Sequence, residues 1–201
     1  MASDAIVRIP EPSIFLSASV PFEGRGDYIQ TASPARIREA ILALVSKSLD
    51  RFNLVFGGHP AITPLIWNSA STLGKERKVF IFQSARFEDT ILDEARQFNN
   101  FVWTPKGGSR AESLNIFREW MLNPEKGYAP RYEYAVFIGG MEGVEDEYNI
   151  IRKYQPEVKI MPVASTGGAA LKLVQRGELI FNKEVLLDEK NYRKVFRLLM
   201  A

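Results

Sequence analysis

"VFIGGMEGVEDEYNIIRKY", residues 136–154, contains the unit from which this chain is built. An apolar run stops at Gly139 and Gly140, Gly143 follows, and an amphipathic helix pattern begins. Glycine lets a chain turn sharply after a strand, and a strand that feeds a helix is the repeating unit of parallel sheets. The rest of the chain repeats this order of an apolar run and a helical pattern.

Six apolar runs predict six strands, each followed by a helix or a turn. The run at 132–140 is the most hydrophobic, so we expect it at the centre of the sheet. The run at 159–166 contains Pro162, which suits an edge strand or a strand end. The predicted strands are 13–20, 53–58, 78–84, 101–105, 132–140 and 159–166, and the other predicted helices are 33–50, 60–72, 86–98, 109–122, 167–177 and 191–200. The fold class predicted from this order is α/β, a Rossmann-like doubly wound and mainly parallel sheet with helices on both faces.

Several helix ends carry recognisable signals. Ser33 is a candidate N-cap followed by proline, and Ser109 with Glu112 has the spacing of a capping box. Pro64 fits its helix if it lies in the first turn, and Gly177 is placed to end the helix before it.

Length and composition exclude several classes of protein. With 201 residues, 46% of them hydrophobic and 25% charged, we expect one soluble domain over 1–201, with a core of about 12–175 and a C-terminal helix at 190–200. No apolar run approaches the roughly 20 residues of a membrane span. Cysteine is absent, there is one histidine, and the net charge is +2. We therefore expect a cytoplasmic protein without a membrane span, a metal, a cofactor or direct contact with nucleic acid.

Small and hydroxyl residues collect where the predicted strands end, which is where doubly wound sheets bind ligands. Glycine pairs follow three strands, and two serines end the first strand. The alternative for each glycine pair is an ordinary tight turn. His59 begins a helix, where it is either a neutral hydrogen-bond donor to a ligand or a capping and packing side chain. The predicted ligand-binding residues are Ser17, Ser19, Gly57, Gly58, His59, Gly139, Gly140, Gly143, Glu147, Ser165, Thr166 and Gly167.

Four acidic residues lie within 142–147, in the first turns of the predicted helix. Carboxylates there gain about 0.3–1 kcal/mol from the helix dipole, which explains most of them without a function. They would also repel a phosphate. We therefore expect a ribose hydroxyl or a base edge at Glu147, and phosphates near Gly57, Ser165 and Gly167.

Three segments together resemble the SLOG superfamily: "FLSASVP" (15–21), "VFGGHPAITPLI" (55–66) and "FIGGMEGVEDE" (137–147). This superfamily contains Rossmann-like domains related to the Lonely Guy phosphoribohydrolases and to nucleotide-sensing modules of prokaryotic defence systems. The Lonely Guy signature is Pro-Gly-Gly-x-Gly-Thr-x-x-Glu. Here Ile138 replaces its proline, one residue is inserted, and Val144 replaces its threonine, while Gly143 and Glu147 keep the signature's spacing.

The resemblance implies roles for several residues. Glu147 matches the family's catalytic glutamate, and Gly57 and Gly58 match its upstream glycine pair. The enzymes also use an arginine in a Met-x-x-Arg-Lys segment, which this chain lacks, and Arg110 is the nearest substitute. The resemblance is therefore closer to the defence-associated branch, and it implies a homodimer and an effector protein as a further partner.

Three functions stay open at this point. The first is a module that binds a nucleotide or an ADP-ribose-like signal, with Lys106 and Arg110 as countercharge or as ordinary solvated loop residues. The second is an enzyme that cleaves a nucleotide N-glycosidic bond, with Glu147 stabilising an oxocarbenium-like ribose or activating water. The third is a Rossmann-like subunit without a small ligand.

Overall fold

In a computed structural model the chain forms a six-stranded sheet, and the structure describes residues 9–177 and 183–199. All neighbouring strands are parallel, in the order β4-β3-β2-β1-β5-β6. The strands are β1 Ser13–Ser19, β2 Asn53–Gly57, β3 Val79–Ser84, β4 Asn100–Thr104, β5 Tyr132–Gly139 and β6 Lys159–Val163. The predicted doubly wound α/β fold is confirmed.

Helices cover both faces of the sheet. They are α1 Pro34–Ser48, α2 Thr63–Thr72, α3 Asp93–Arg96, α4 Arg110–Leu122, α5 Glu142–Tyr154, α6 Gly168–Gln175, α7 Lys183–Asp188 and α8 Tyr192–Leu199. Met200, where the predicted C-terminal helix ends, lies outside the described residues. Among the described residues no helix is long and apolar enough to cross a membrane.

Two hydrophobic cores form because alternate side chains of each strand point to opposite faces. On one face Ile14 and Leu16 of β1 pack with α1, α2, α3, α7 and α8. On the other face Phe15 of β1 packs with α4, α5 and α6. Ser17 continues the second alternation, so its hydroxyl lies on the side of α4 and α5.

The strand order reverses between β1 and β5. The chain runs outward through β2, β3 and β4 on one side of β1, and through β5 and β6 on the other. Helices that leave the two neighbouring strand ends at such a switch point diverge and leave a crevice between them.

Most helix ends agree with the sequence signals. Ser33 accepts a hydrogen bond from the Arg36 amide, Pro64 lies in the first turn of α2, and Gly177 has φ 74° just after α6. The capping box of α4 differs in one partner: Ser109 accepts from the Glu112 amide as expected, but the Glu112 carboxylate accepts from the amide of Gly108.

Two expectations about the elements are wrong. The pattern at 86–98 is not one helix but a 3₁₀ turn at 85–90 and the short α3, because Ile91 and Leu92 between them are extended. This break lets Ile91 pack against the same core as Ala95 and Phe98. The strand at 132–140 is internal but not central, since β5 lies between β1 and the edge strand β6. The run with Pro162 forms the edge strand β6, which is one of the two positions predicted for it.

Candidate functional site

A cavity of about 280 Å³ opens at the switch point between β1 and β5. Its wall combines the end of β1, the turn after β2, one face of α4 and the first turns of α5. The lining residues are Leu16, Ser17, Ala18, Ser19, Phe22, Arg25, Gly57, Gly58, His59, Arg110, Leu114, Phe117, Arg118, Met141, Gly143, Val144 and Glu147. This volume is just below the roughly 300–1,000 Å³ typical of small-molecule sites.

The Glu147 carboxylate is the acidic group of this cavity. Its side chain is 15% exposed, and the Ser17 hydroxyl donates to its Oε2 across 2.5 Å. Burial raises the pKa of the Glu147 carboxyl, and this effect outweighs the hydrogen bond from Ser17 and the charge of Arg118, which both act in the opposite direction. A mostly buried carboxyl with a perturbed pKa in a cleft is typical of a functional site.

Arg118 of α4 is the arginine that pairs with Glu147. Its Nε lies 3.8 Å from Glu147 Oε1, and its Nη1 lies 3.0 Å from Asp146 Oδ2. Its side chain is 13% exposed. Gly143 makes room for this guanidinium group, because a Cβ at residue 143 would lie 3.1 Å from Arg118 Nη2. The close approach of Arg118 therefore explains why a glycine occupies position 143, the position that matches the family signature.

The other acids of 142–147 are also paired, which was not visible in the sequence. Arg25 donates to Glu142, and Tyr28 donates to Glu145 across 2.7 Å. Arg176 forms an ion pair with Glu145. Burial alone would raise the pKa of Glu142, but the hydrogen bond from Arg25 leaves that pKa below its usual value. Their charge is thus balanced locally, and the expected repulsion of a phosphate is reduced.

Three arginines line the cavity, and they differ in their partners. Arg25 and Arg118 contact acids, whereas Arg110 has no acidic partner within the described part of the chain and lies 5.9 Å from the Phe87 ring centroid. Arg110, predicted as a substitute for the family's arginine, does line the cavity, but the guanidinium group next to Glu147 belongs to Arg118. Lys106 is not among the lining residues.

His59 has a capping role in the structure, and its ring keeps a free donor position. Its Nδ1 accepts from the Ala61 amide across 3.2 Å, so the remaining ring proton lies on Nε2 and the ring can donate. Burial lowers the pKa of His59, which keeps the imidazole neutral. Its own amide donates to the Thr63 hydroxyl, so the turn before α2 is capped internally.

The glycine pairs have packing reasons in the structure. A Cβ at Gly57 would lie 2.5 Å from Phe117 Cζ. Gly139 and Gly140 have φ 58° and 87°, and Cβ atoms there would lie 2.4 Å from Ile37 and 2.2 Å from Val144. These glycines allow close packing of the helices at the rim.

The turn at 165–167 lies away from the cavity. The Ser165 hydroxyl donates to the Glu189 carbonyl, and the buried Thr166 accepts from the Gly139 amide. A Cβ at Gly167 would lie 2.0 Å from the Thr31 carbonyl oxygen. This turn therefore holds β6 against β5, α1 and the segment before α8.

The structure brings most of the predicted site residues together. Those that line the cavity are Ser17, Ser19, Gly57, Gly58, His59, Arg110, Gly143 and Glu147. Gly139 and Gly140 directly precede the lining residue Met141 in the chain but do not line the cavity themselves. The turn at 165–167 does not line it either. Sequence reasoning missed Arg118, Arg25 and Phe22. A signal for Arg118 exists: Arg110, Leu114 and Arg118 are spaced by four residues, which places them on one face of α4.

A parallel, doubly wound sheet with a polar cavity at its switch point defines a Rossmann-like α/β protein. The sequence model of the SLOG cluster3 family matches residues 27–200, most of the chain and all of the site except β1 and the segment after it. The chain belongs to this SLOG family, which indicates a role in the binding or processing of nucleotide-related molecules. No curated protein matches the chain.

Proposed function

We propose that the cavity binds a nucleotide or an ADP-ribose-like molecule and that the chain is a ligand-sensing module. The observation that carries this proposal is the presence of the Glu147 carboxylate and of the Arg110 and Arg118 guanidinium groups in the wall of one cavity at the switch point. A ribose phosphate needs both kinds of group: acceptors for its hydroxyls and cations for its phosphate.

The ribose is placed at Glu147. A carboxylate accepts hydrogen bonds from the two hydroxyls of a ribose, and the hydroxyls of Ser17 and Ser19 lie in the same wall. Both serines are almost fully buried, 2% and 7% exposed, so they add polar groups of fixed position.

The phosphate is placed between Arg110 and the start of α5. Arg110 is the cavity arginine whose charge is not matched by an acid among residues 9–177 and 183–199. The amide of Gly143 lies in the first turn of α5, where an α-helix leaves amides without an intrahelical partner and the helix dipole is positive, whereas the neighbouring Val144 amide donates to the Met141 carbonyl. We propose this position for the phosphate instead of the turns near Gly57 and Ser165. In those turns the His59 amide and the Ser165 hydroxyl already have partners within the protein.

The wider setting follows from the resemblance to the defence-associated SLOG branch. In this proposal the module acts in the cytoplasm in prokaryotic antiviral defence. Ligand binding changes how it assembles as a homodimer or with an effector protein.

Thermal shift with single ligands tests the proposal. A ligand at about 100 times its Kd stabilises a protein by about 2.7 kcal/mol. At roughly 2–4 °C per kcal/mol for a domain of this size, we expect the melting temperature to rise by about 5–10 °C with the best of the ribonucleoside 5′-monophosphates, NAD or ADP-ribose. Arg110→Met should reduce the rise, and Arg38→Met, at an exposed position on α1, should leave it unchanged. No rise with any of these ligands would reject the proposal.

Hydrolysis of a nucleotide N-glycosidic bond is the second candidate, and the Arg118–Glu147 pair favours it. The missing arginine segment argued against an enzyme, but α4 supplies a guanidinium group 3.8 Å from the candidate catalytic carboxylate. In this reaction Glu147 stabilises the positive charge that develops on the ribose, and Arg118 holds the ribose phosphate.

Base release separates the two candidates. Each ligand is incubated with the protein and the free base is measured by chromatography. Release that Glu147→Gln abolishes supports the enzyme, whereas a thermal shift without release supports the sensor.

A further inference from the structure

Phe22 is a large apolar side chain that lines the cavity and is also exposed to solvent. It is 53% exposed, yet it belongs to the cavity wall beside Ser19 and Arg25. A lone exposed aromatic residue is ordinary on a protein surface. An aromatic ring at the mouth of a cavity lined by hydroxyls, guanidinium groups and a carboxylate is less easily explained by folding, because exposing the ring does not stabilise the free protein.

The segment that carries Phe22 is held in place on both sides. Pro21 before it is buried, and Arg25 after it donates to Glu142 at the start of α5. Asp27 pairs with Lys172 of α6, whose Nζ lies 4.1 Å from the centroid of the Tyr28 ring. The exposed ring is therefore presented by an anchored segment, so less freedom is lost when it takes a ligand.

Arg25 also lies near the ring. Its guanidinium carbon is 5.9 Å from the Phe22 ring centroid. A planar cation and an aromatic ring at the same mouth both have flat faces on which a heteroaromatic base can stack.

We infer that Phe22 recognises the base of the ligand by stacking on it. The ligand is then a nucleotide with an intact heteroaromatic base and not a sugar phosphate alone. This inference rests on the proposed nucleotide binding and adds the chemical class of the part of the ligand that lies outside the ribose and phosphate positions. Because every base has a π face, Phe22 selects for the presence of a base rather than for its identity.

The test compares ligands with and without a base by titration calorimetry. The probes are the four ribonucleoside 5′-monophosphates, ADP-ribose and ribose 5-phosphate, each titrated into the full chain. Removal of a stacked aromatic ring weakens binding by about 5- to 160-fold per base. Phe22→Ala should therefore weaken the best nucleotide by this factor and leave ribose 5-phosphate unchanged, and Phe22→Trp should restore the nucleotide affinity.

Ile29→Ala is the matched control, because Ile29 is 39% exposed and two residues from Asp27 but is not part of the cavity wall. It should change neither affinity. Equal weakening of the nucleotide and of ribose 5-phosphate by Phe22→Ala, or no effect on either, would overturn the inference while leaving nucleotide binding intact. If the wild-type chain binds none of the probes, nucleotide binding itself fails.

Discussion

Arg118→Met tests the pairing on which the candidate site depends. The substitution keeps much of the apolar volume of the side chain and removes the charge that faces Glu147. At the 3.8 Å of this pair, two unit charges interact by roughly 4 kcal/mol at an effective dielectric constant near 20, before the cost of removing them from water. Part of this is lost because the raised pKa of Glu147 lets the carboxyl take up a proton once the cation is gone.

We therefore expect Arg118→Met to reduce the free energy of unfolding by about 2–4 kcal/mol at neutral pH, somewhat below the range of a fully buried pair. This corresponds to a drop in melting temperature of roughly 5–15 °C. The loss should shrink as pH falls through the pKa of Glu147, since a neutral carboxyl does not need the cation.

The assay is thermal and urea unfolding of a double-mutant cycle with Glu147→Gln. The double variant should be more stable than the sum of the single changes predicts, by about 1–3 kcal/mol. Lys194→Met is the control: Lys194 Nζ lies 2.9 Å from Glu189 Oε2, a shorter distance, but its side chain is 52% exposed. An exposed pair contributes at most about 1 kcal/mol, so the melting temperature should fall by no more than about 2–4 °C. Additive single changes, or an Arg118→Met protein as stable as wild type, would refute the reasoning.

Two further predictions concern stability and packing at the same cavity. The folded wild type holds the Glu147 proton more tightly than the unfolded chain, so it loses stability as pH rises from the ordinary pKa of a glutamate through the raised pKa of Glu147. Glu147→Gln has no such proton and should therefore gain stability relative to wild type over this pH range. Parallel pH profiles of unfolding for the two proteins would contradict this. Gly57→Ala should cost about 1–3 kcal/mol and weaken ligand binding, because the new methyl group pushes the Phe117 ring toward the cavity. Gly58→Ala is its milder control, with the nearest atom of Ile81 at 3.2 Å, and equal stability of the two alanine variants would count against the packing argument.

The sheet was predictable because strand formation here depends on local pattern. The apolar runs, the cap at Ser33 and the proline in β6 all act over a few residues. The helix predicted at 86–98 was wrong because this prediction also used only local pattern. The apolar spacing of this segment fits a helix, but Ile91 and Leu92 are extended, and Ile91 packs against a core formed from distant parts of the chain.

The candidate site was predictable in part. Parallel strands place their carboxyl ends at one rim, so Ser17, Gly57 and Gly143 were expected to lie near each other, and they do. The partner of Glu147 was missed because Arg118 lies 29 residues earlier in the chain and reaches it through the packing of α4 on α5. The turn at 165–167 resembled a phosphate site in composition, but its hydroxyls have partners within the protein.

The most direct test of nucleotide binding is a crystal structure of the chain with the nucleotide that binds most tightly in titration. We expect the ribose hydroxyls within hydrogen-bond distance of Glu147, the phosphate at Arg110 and the start of α5, and the base against Phe22. A nucleotide bound elsewhere, for example in the surface groove between α1 and α8 lined by Glu39 and Arg193, with the switch-point cavity unoccupied, would contradict the proposal.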